Sequence, residues 1–305
     1  MQNRQLGTSS LEVSPLCFGC NVFGWTADEE MSFRLLDGWL DAGFNFYDTA
    51  DGYFRWHDGN EGGESETIMG KWLASRGGRD KIVLATKFGM DMGDGKVGLS
   101  PEYMVRAVED SLRRLQTDYI DLYQSHKDDE NTPVDATLEA YAKLIEQGKV
   151  REIGASNFSA TRMKEALDAS KTKGLPRYQS LQPLYSLVER VTFEGDLEDL
   201  CAAENVGVIG FYSLASGFLT GKYRSKADME GRIRAPRVEK YVTEDGFRVL
   251  DALDAVAKKH NAKMGQVALA WLMARPSVTS PIASATNMDQ LAELTATVEL
   301  SLDAD

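Results

Sequence analysis

A chain of 305 residues with 43% hydrophobic and 27% charged side chains can bury a sizeable core without disulfides or metals. Its net charge of −13, with 47 acidic against 34 basic residues, argues against a nucleic-acid groove, which needs a broad basic face. No apolar run approaches the roughly 20 residues of a bilayer span, and the start MQNRQLGTSSLEV lacks signal-like regions, so cytoplasmic residence without a membrane partner is expected.

The segment RQLGTSSLEVSPL reads as a hairpin turning at Gly7 or at Ser9-Ser10. Beyond it, short apolar runs alternate with stretches of helical period. Strands are predicted at Leu16–Cys20, Phe44–Asp48, Ile82–Lys87, Ile120–Gln124, Glu152–Ala155, Ser180–Gln182, Val206–Phe211 and Ser280–Ala283. Asp28, Ser159 and Thr192 are candidate helix N-caps, and Ser100-Pro101 and Thr132-Pro133 combine a cap with proline at the first helical position. Further helices are expected over Lys263–Met273 and, as an addition at the C-terminal end, Met288–Val298. Eight repeats with no polar linker predict one parallel sheet closed into a (β/α)8 TIM barrel, a single domain over residues 1–305 plugged by the hairpin. An open doubly wound sheet is the alternative.

Cys17 and Cys20 form a C-x-x-C pair, but on one short strand their side chains face opposite sides, too far apart for a disulfide. Gly93–Gly98 matches G-x-G-x-x-G. In a dinucleotide fold the first glycine turns directly off the strand and the last lies inside the helix. Here five residues separate Lys87 from Gly93 and the helix start Ser100-Pro101 comes afterwards, so the motif reads as a loop.

Barrels of this type build their sites where strands end. Those ends carry Asp48 with Tyr53 close behind, then Lys87, His126, Ser156-Asn157 and Gln182. A lysine beside an aspartate and a tyrosine is a device for proton transfer: the ammonium favours the phenolate, and the aspartate keeps the lysine charged. Such a tyrosine can give a proton to a carbonyl oxygen, and the histidine can orient that carbonyl. Taken singly, Asp48 could cap a loop, Lys87 could make a salt bridge and Tyr53 could be a loop aromatic. Two connections are longer than ordinary barrel loops, over residues 52–63 and 220–241, as functional loops often are. Trp25, Phe54, Trp56, His57 and Met90 are candidates for an apolar, aromatic substrate wall, and no metal-ligand spacing appears.

The run GFNFYDTADGYF resembles the signature of the aldo-keto reductases around their catalytic aspartate and tyrosine. ATKFG is similar to that family's lysine strand, DYIDLYQSHKDD to its histidine strand, and GKVREIGASNFS, LQPLYSLVER and YSLASGFLTGKYR to its cofactor segments. The resemblance implies a catalytic tetrad of Asp48, Tyr53, Lys87 and His126 and hydride transfer between a nicotinamide cofactor and a small carbonyl or alcohol substrate. It also implies that Ser156, Asn157 and Gln182 hold the carboxamide and that Phe211, in place of the usual tyrosine, stacks on the nicotinamide. Ser213, Leu214, Ser216, Gly217 and Lys222 would line the pyrophosphate, and Ser284, Thr286 and Gln290 fall where the family meets the 2′-phosphate. NADP(H) is the cofactor implied; IASATNMDQL offers that phosphate no cation, which keeps NAD(H) as the alternative. Lys222, Arg224, Lys226, Arg232, Arg234, Arg237 and Lys240 read either as a solvated loop or as a belt closing over the dinucleotide. Two other functions fit the same residues: a nucleotide-binding regulatory subunit resembling channel β-subunits, and a Schiff-base aldolase using Lys87. Oligomeric state is not legible in the sequence.

Overall fold

The computed structural model describes residues 1–53, 55 and 57–303. Eight parallel strands run β1 (Cys17–Gly19), β2 (Phe46–Asp48), β3 (Val83–Phe88), β4 (Ile120–Ser125), β5 (Val150–Ser156), β6 (Tyr178–Gln182), β7 (Gly207–Val208) and β8 (Ile282–Ala283). They pair in chain order, with β8 beside β1. Closure comes from the bridge between Val208 and Val278, and from the Ile282 amide donating to the Gly210 carbonyl at 2.9 Å. The result is a (β/α)8 barrel.

Helices α1 (Glu29–Asp41), α2 (Glu64–Arg76), α3 (Pro101–Leu115), α4 (Val134–Glu146), α5 (Ala160–Lys173) and α6 (Asp196–Ala203) follow the first six strands. The seventh unit is enlarged: after a basic loop with a four-residue helix, α7 (Ala235–Val238), come α8 (Glu244–Lys259) and α9 (Met264–Ala274). Helix α10 (Met288–Ala296) follows β8 and closes the ring between α1 and α9. No helix among the described residues is long and apolar enough to cross a membrane.

Local chemistry sets the helix starts. The side chains of Asp28, Ser100 and Ser159 each accept from a backbone amide of the first turn, as N-caps do. Two expected caps are spent elsewhere. The Thr132 hydroxyl donates to Asp129 Oδ2 at 2.6 Å, leaving Pro133 at the cap of α4. The Thr192 hydroxyl donates to the Leu184 carbonyl at 3.3 Å, and α6 starts later, behind Gly195.

The antiparallel hairpin, Arg4–Gln5 with Glu12–Val13, covers one end of the barrel. Gly7 makes its turn at φ +61°, pressed against the Gln179 carbonyl where a side chain would clash. Its Leu6, Leu11 and Val13 fill the lower barrel interior with Cys17, Phe46 and Val83. The main core lies between the sheet and its helices, and Cys20 belongs to it. Cys17 and Cys20 therefore point to opposite faces as free thiols, and burial pushes both well above the usual thiol range. Gly93 to Gly98 form a tight loop, with the Lys96 amide donating to the Gly93 carbonyl, and α3 begins only after Ser100.

Candidate active site

At the C-terminal ends of the strands opens a cavity of about 650 Å³. Its deep end is organised around Asp48. Lys87 Nζ donates to Asp48 Oδ2 at 2.6 Å, to the Thr49 carbonyl at 2.6 Å and to the Tyr53 hydroxyl at 2.9 Å. All three ammonium donors are thus used on fully buried or half-buried oxygens. The Tyr53 hydroxyl donates in turn to Asp48 Oδ2 at 3.2 Å. Asp48 Oδ1 accepts from Gln124 Nε2 at 3.1 Å and Gln182 Nε2 at 2.9 Å. His126 meets Tyr53 edge-on, with ring centroids 6.0 Å apart.

The electrostatics differ from the expectation that Lys87 draws Tyr53 toward phenolate. Burial, then the Asp48 carboxylate, pushes the phenol well above its ordinary value. The reason is visible in the geometry: lysine and aspartate form a near-neutral pair, so the ammonium's field at the phenol is largely offset, and desolvation wins. Tyr53 is held as a neutral O–H. Burial, followed by the Lys87 charge, pushes His126 well below its usual value, so the ring is neutral at pH 7. Both side chains keep partial exposure through the cavity.

Asp48, Tyr53 and His126 line the cavity, and Lys87 lies beneath it. Ser156, Asn157 and Gln182 form one wall. Ser156 Oγ donates to the Gln182 carbonyl at 2.9 Å, and Asn157 Nδ2 donates to the His126 carbonyl at 2.9 Å and to Ser156 Oγ at 3.0 Å. Phe211 is half-buried in the cavity lining, edge-on to Tyr212 at 5.2 Å. Ser213, Leu214, Ser216, Gly217 and Lys222 line the next stretch, where Ala215, Ser216 and Gly217 all have positive φ. The hydroxyl of Ser213 is spent on the Gly210 carbonyl at 3.2 Å. Ser284 and Gln290 line the far end; Thr286 stands behind Gln290 and donates to its Oε1.

The expected substrate wall is rearranged. Met90 lines the cavity, whereas His57 is exposed and does not line it, and Trp25 packs under the guanidinium groups of Arg234 and Arg237 at 5.4 and 5.7 Å. Phe54 and Trp56 lie outside the described residues. The lining is instead polar in part, with Asn21, Arg55, Asp91 and Tyr212. Sequence reasoning missed these four. For Asn21 a signal existed, since it is the first polar residue after β1.

The cavity suits an extended anionic ligand. Lys222, Arg234 and Arg237 line it together, and Arg234 Nη2 is buried without a hydrogen-bond partner. Burial, then the charges of Arg234 and Arg232, lower the proton affinity of Lys222. Positive charge gathered on one wall fits phosphate groups, with the left-handed turn at Ser216 and Gly217 alongside.

Comparison with known proteins agrees with this geometry. The family model described as "Aldo/keto reductase family" matches residues 15–305. The chain is 38% identical over 315 residues to the uncharacterized oxidoreductase YrpG of Bacillus subtilis (strain 168), covering 100% of this chain and 93% of that protein. It is 32% identical to the L-glyceraldehyde 3-phosphate reductase of Escherichia coli (strain K12), over 96% of this chain and 86% of that one. It is 33% identical to a probable voltage-gated potassium channel subunit beta of Oryza sativa subsp. japonica, over 96% and 90%.

Proposed function

The chain belongs to the aldo/keto reductase family and is an oxidoreductase, and from this we propose that it reduces aldehyde or ketone carbonyls to alcohols with NADPH, Tyr53 donating the proton. The observation that carries the reading is Lys87 Nζ bridging Asp48 Oδ2 and the Tyr53 hydroxyl at 2.6 and 2.9 Å at the base of the cavity. When bound, a nicotinamide supplies the hydride for the carbonyl carbon; the protein supplies orientation and electrostatics. Ser156, Asn157 and Gln182 would hold its carboxamide, Phe211 would stack on the ring, and Ser213 through Gly217 with Lys222 would follow the pyrophosphate.

Tyr53 lines the cavity as a neutral phenol, and turning its O–H from Asp48 Oδ2 to a carbonyl oxygen placed between it and His126 makes it the acid. Lys87 stabilises the phenolate left behind, and Asp48 holds Lys87 in place. A neutral His126 orients the carbonyl without competing for the proton. Lys222, Arg234 and Arg237 supply positive charge for a dinucleotide's phosphates, and in the last β/α unit Ser284, Thr286 and Gln290 would meet a 2′-phosphate with neutral groups.

A Schiff-base role for Lys87 is disfavoured by the same distances. An amine nucleophile must be neutral and reach the substrate, whereas this ammonium is fully buried and donates to three oxygens.

Tyr53→Phe tests the assignment, with NADPH oxidation followed against a carbonyl panel and cofactor binding followed by protein fluorescence. The expected result is turnover reduced at least a thousandfold with NADPH affinity within a factor of about three. A variant with near-normal turnover refutes the role of Tyr53.

A further inference from the structure

Asp48 is satisfied from two sides. Lys87 and Tyr53 occupy Oδ2, while Oδ1 takes two side-chain amides, Gln124 Nε2 at 3.1 Å and Gln182 Nε2 at 2.9 Å. A carboxylate only accepts, so both amides must present their N–H groups to it. The two glutamines touch each other as well, Gln182 Nε2 lying 3.4 Å from Gln124 Oε1.

They are not equivalent. Gln182 lines the cavity and is reachable by whatever enters it, whereas Gln124 is fully buried and absent from the cavity wall. Gln124 stands on β4, level with Lys87 on β3 and with Gly154 on β5. Gly154 makes the arrangement fit. A Cβ there would lie 2.4 Å from Ser180 Oγ and 3.0 Å from Gln124 Cγ. The missing side chain opens the gap across which strands β4 and β6 bring their glutamines together.

We infer that Gln124 is a positioning residue for the proposed proton transfer: out of any ligand's reach, its amide holds Asp48 Oδ1 so that Asp48 keeps Lys87 and Tyr53 in register, with Gln182, which also faces the cavity, as the second donor. Gln124 acts through Asp48 and touches no reacting atom. The inference rests on the role given to Tyr53 above.

Gln124→Leu keeps the volume and removes the amide. Losing one charge-assisted donor while a second remains predicts a kcat about tenfold lower, with the Kd for NADPH, read by protein fluorescence, within twofold of wild type. Gln182→Leu weakens cofactor binding but, at saturating cofactor, costs kcat less than the loss of both amides implies. The double variant therefore loses more than the product of the two single effects, because each amide covers for the other. A kcat for Gln124→Leu within twofold of wild type overturns the inference, as does a loss confined to KM or an additive double variant.

If Gln124→Leu fails to fold by circular dichroism, Gly154→Ala carries the test. It keeps every polar group but displaces Gln124, and kcat should fall at least threefold; full activity overturns the inference. One readout is independent of turnover. In spectra of side-chain amides of [15N]glutamine-labelled wild-type protein, Gln124 should show a slowly exchanging amide that persists on NADPH addition while that of Gln182 shifts. A rapidly exchanging Gln124 amide counts against the clamp. A wild-type enzyme inactive on every carbonyl sinks the reductase reading instead, and the amide spectra still judge the clamp.

Discussion

Replacing Arg114 with methionine removes the counter-ion of a carboxylate that cannot reach water. Glu66 on α2 is fully buried; one oxygen accepts from the Thr86 hydroxyl at 2.5 Å, the other from Arg114 Nε at 2.7 Å. Breaking a buried pair by removing one partner costs about 3–5 kcal/mol. A second route gives a ceiling. The orphaned carboxylate can take up a proton, and at pH 7 that costs a carboxyl of ordinary acidity about 3.7 kcal/mol. The two estimates meet, and the methionine keeps most of the packing, so a loss of about 3–4 kcal/mol is expected at pH 7. The proton route also predicts a pH signature: at pH 5 the same uptake costs only about 1 kcal/mol. Urea unfolding of wild type and variant at the two pH values measures both numbers. A loss below about 1 kcal/mol at pH 7, or one that does not shrink on acidification, refutes the reasoning.

Asp51, fully buried next to Tyr53's loop, is pushed well above the usual carboxylate range by burial and then by Glu66. A raised carboxyl holds a proton in the native state that the unfolded chain releases. Stability therefore falls as pH rises from the ordinary carboxylate value toward the raised one, and Asp51→Asn should remove that slope and raise the melting temperature at pH 7 but not near pH 4; a variant with the wild-type pH slope counts against it. Arg234, whose Nη2 is buried without a partner in the cavity, should matter to the cofactor's phosphates. Arg234→Gln is expected to weaken NADPH binding about tenfold and to flatten its salt dependence, measured by fluorescence titration; unchanged affinity at low salt would show that the basic loop faces solvent only.

The barrel was legible because its strands are short buried runs with punctuated helix starts, and chemistry sat where the strands stop. What was not legible is mostly competition for single hydrogen bonds. The predicted strand Val206–Phe211 is formed in the ladder only over Gly207–Val208. Beyond it the chain stays extended, but it runs beside Pro183, which accepts from the Phe211 amide at 2.9 Å and has no N–H to return. Thr132 and Thr192 look like caps in sequence, yet each hydroxyl found a nearer acceptor. Trp25, read as substrate wall, became the surface on which two arginines of a loop about 210 residues later stack, which no local pattern announces.

The same limit explains why the tetrad could be read and its support could not. Asp48, Tyr53, Lys87 and His126 each end a strand or follow one, so position alone singles them out. Gln124 lies inside the buried run Ile120–Ser125 and looks like an ordinary strand residue. Its meaning depends on Asp48, 76 residues away, and on Gln182, 134 residues from that same carboxylate. A buried carboxylate costs several kcal/mol in desolvation unless its lone pairs are taken. Here donors from β3, β4, β6 and the loop after β2 take them, and those elements meet only when the strands are in register. Asp48 is therefore fully satisfied only in the folded barrel. The geometry that aims Tyr53 at the cavity is a product of barrel register, which is why it appears in the sequence only as a set of separated polar strand ends.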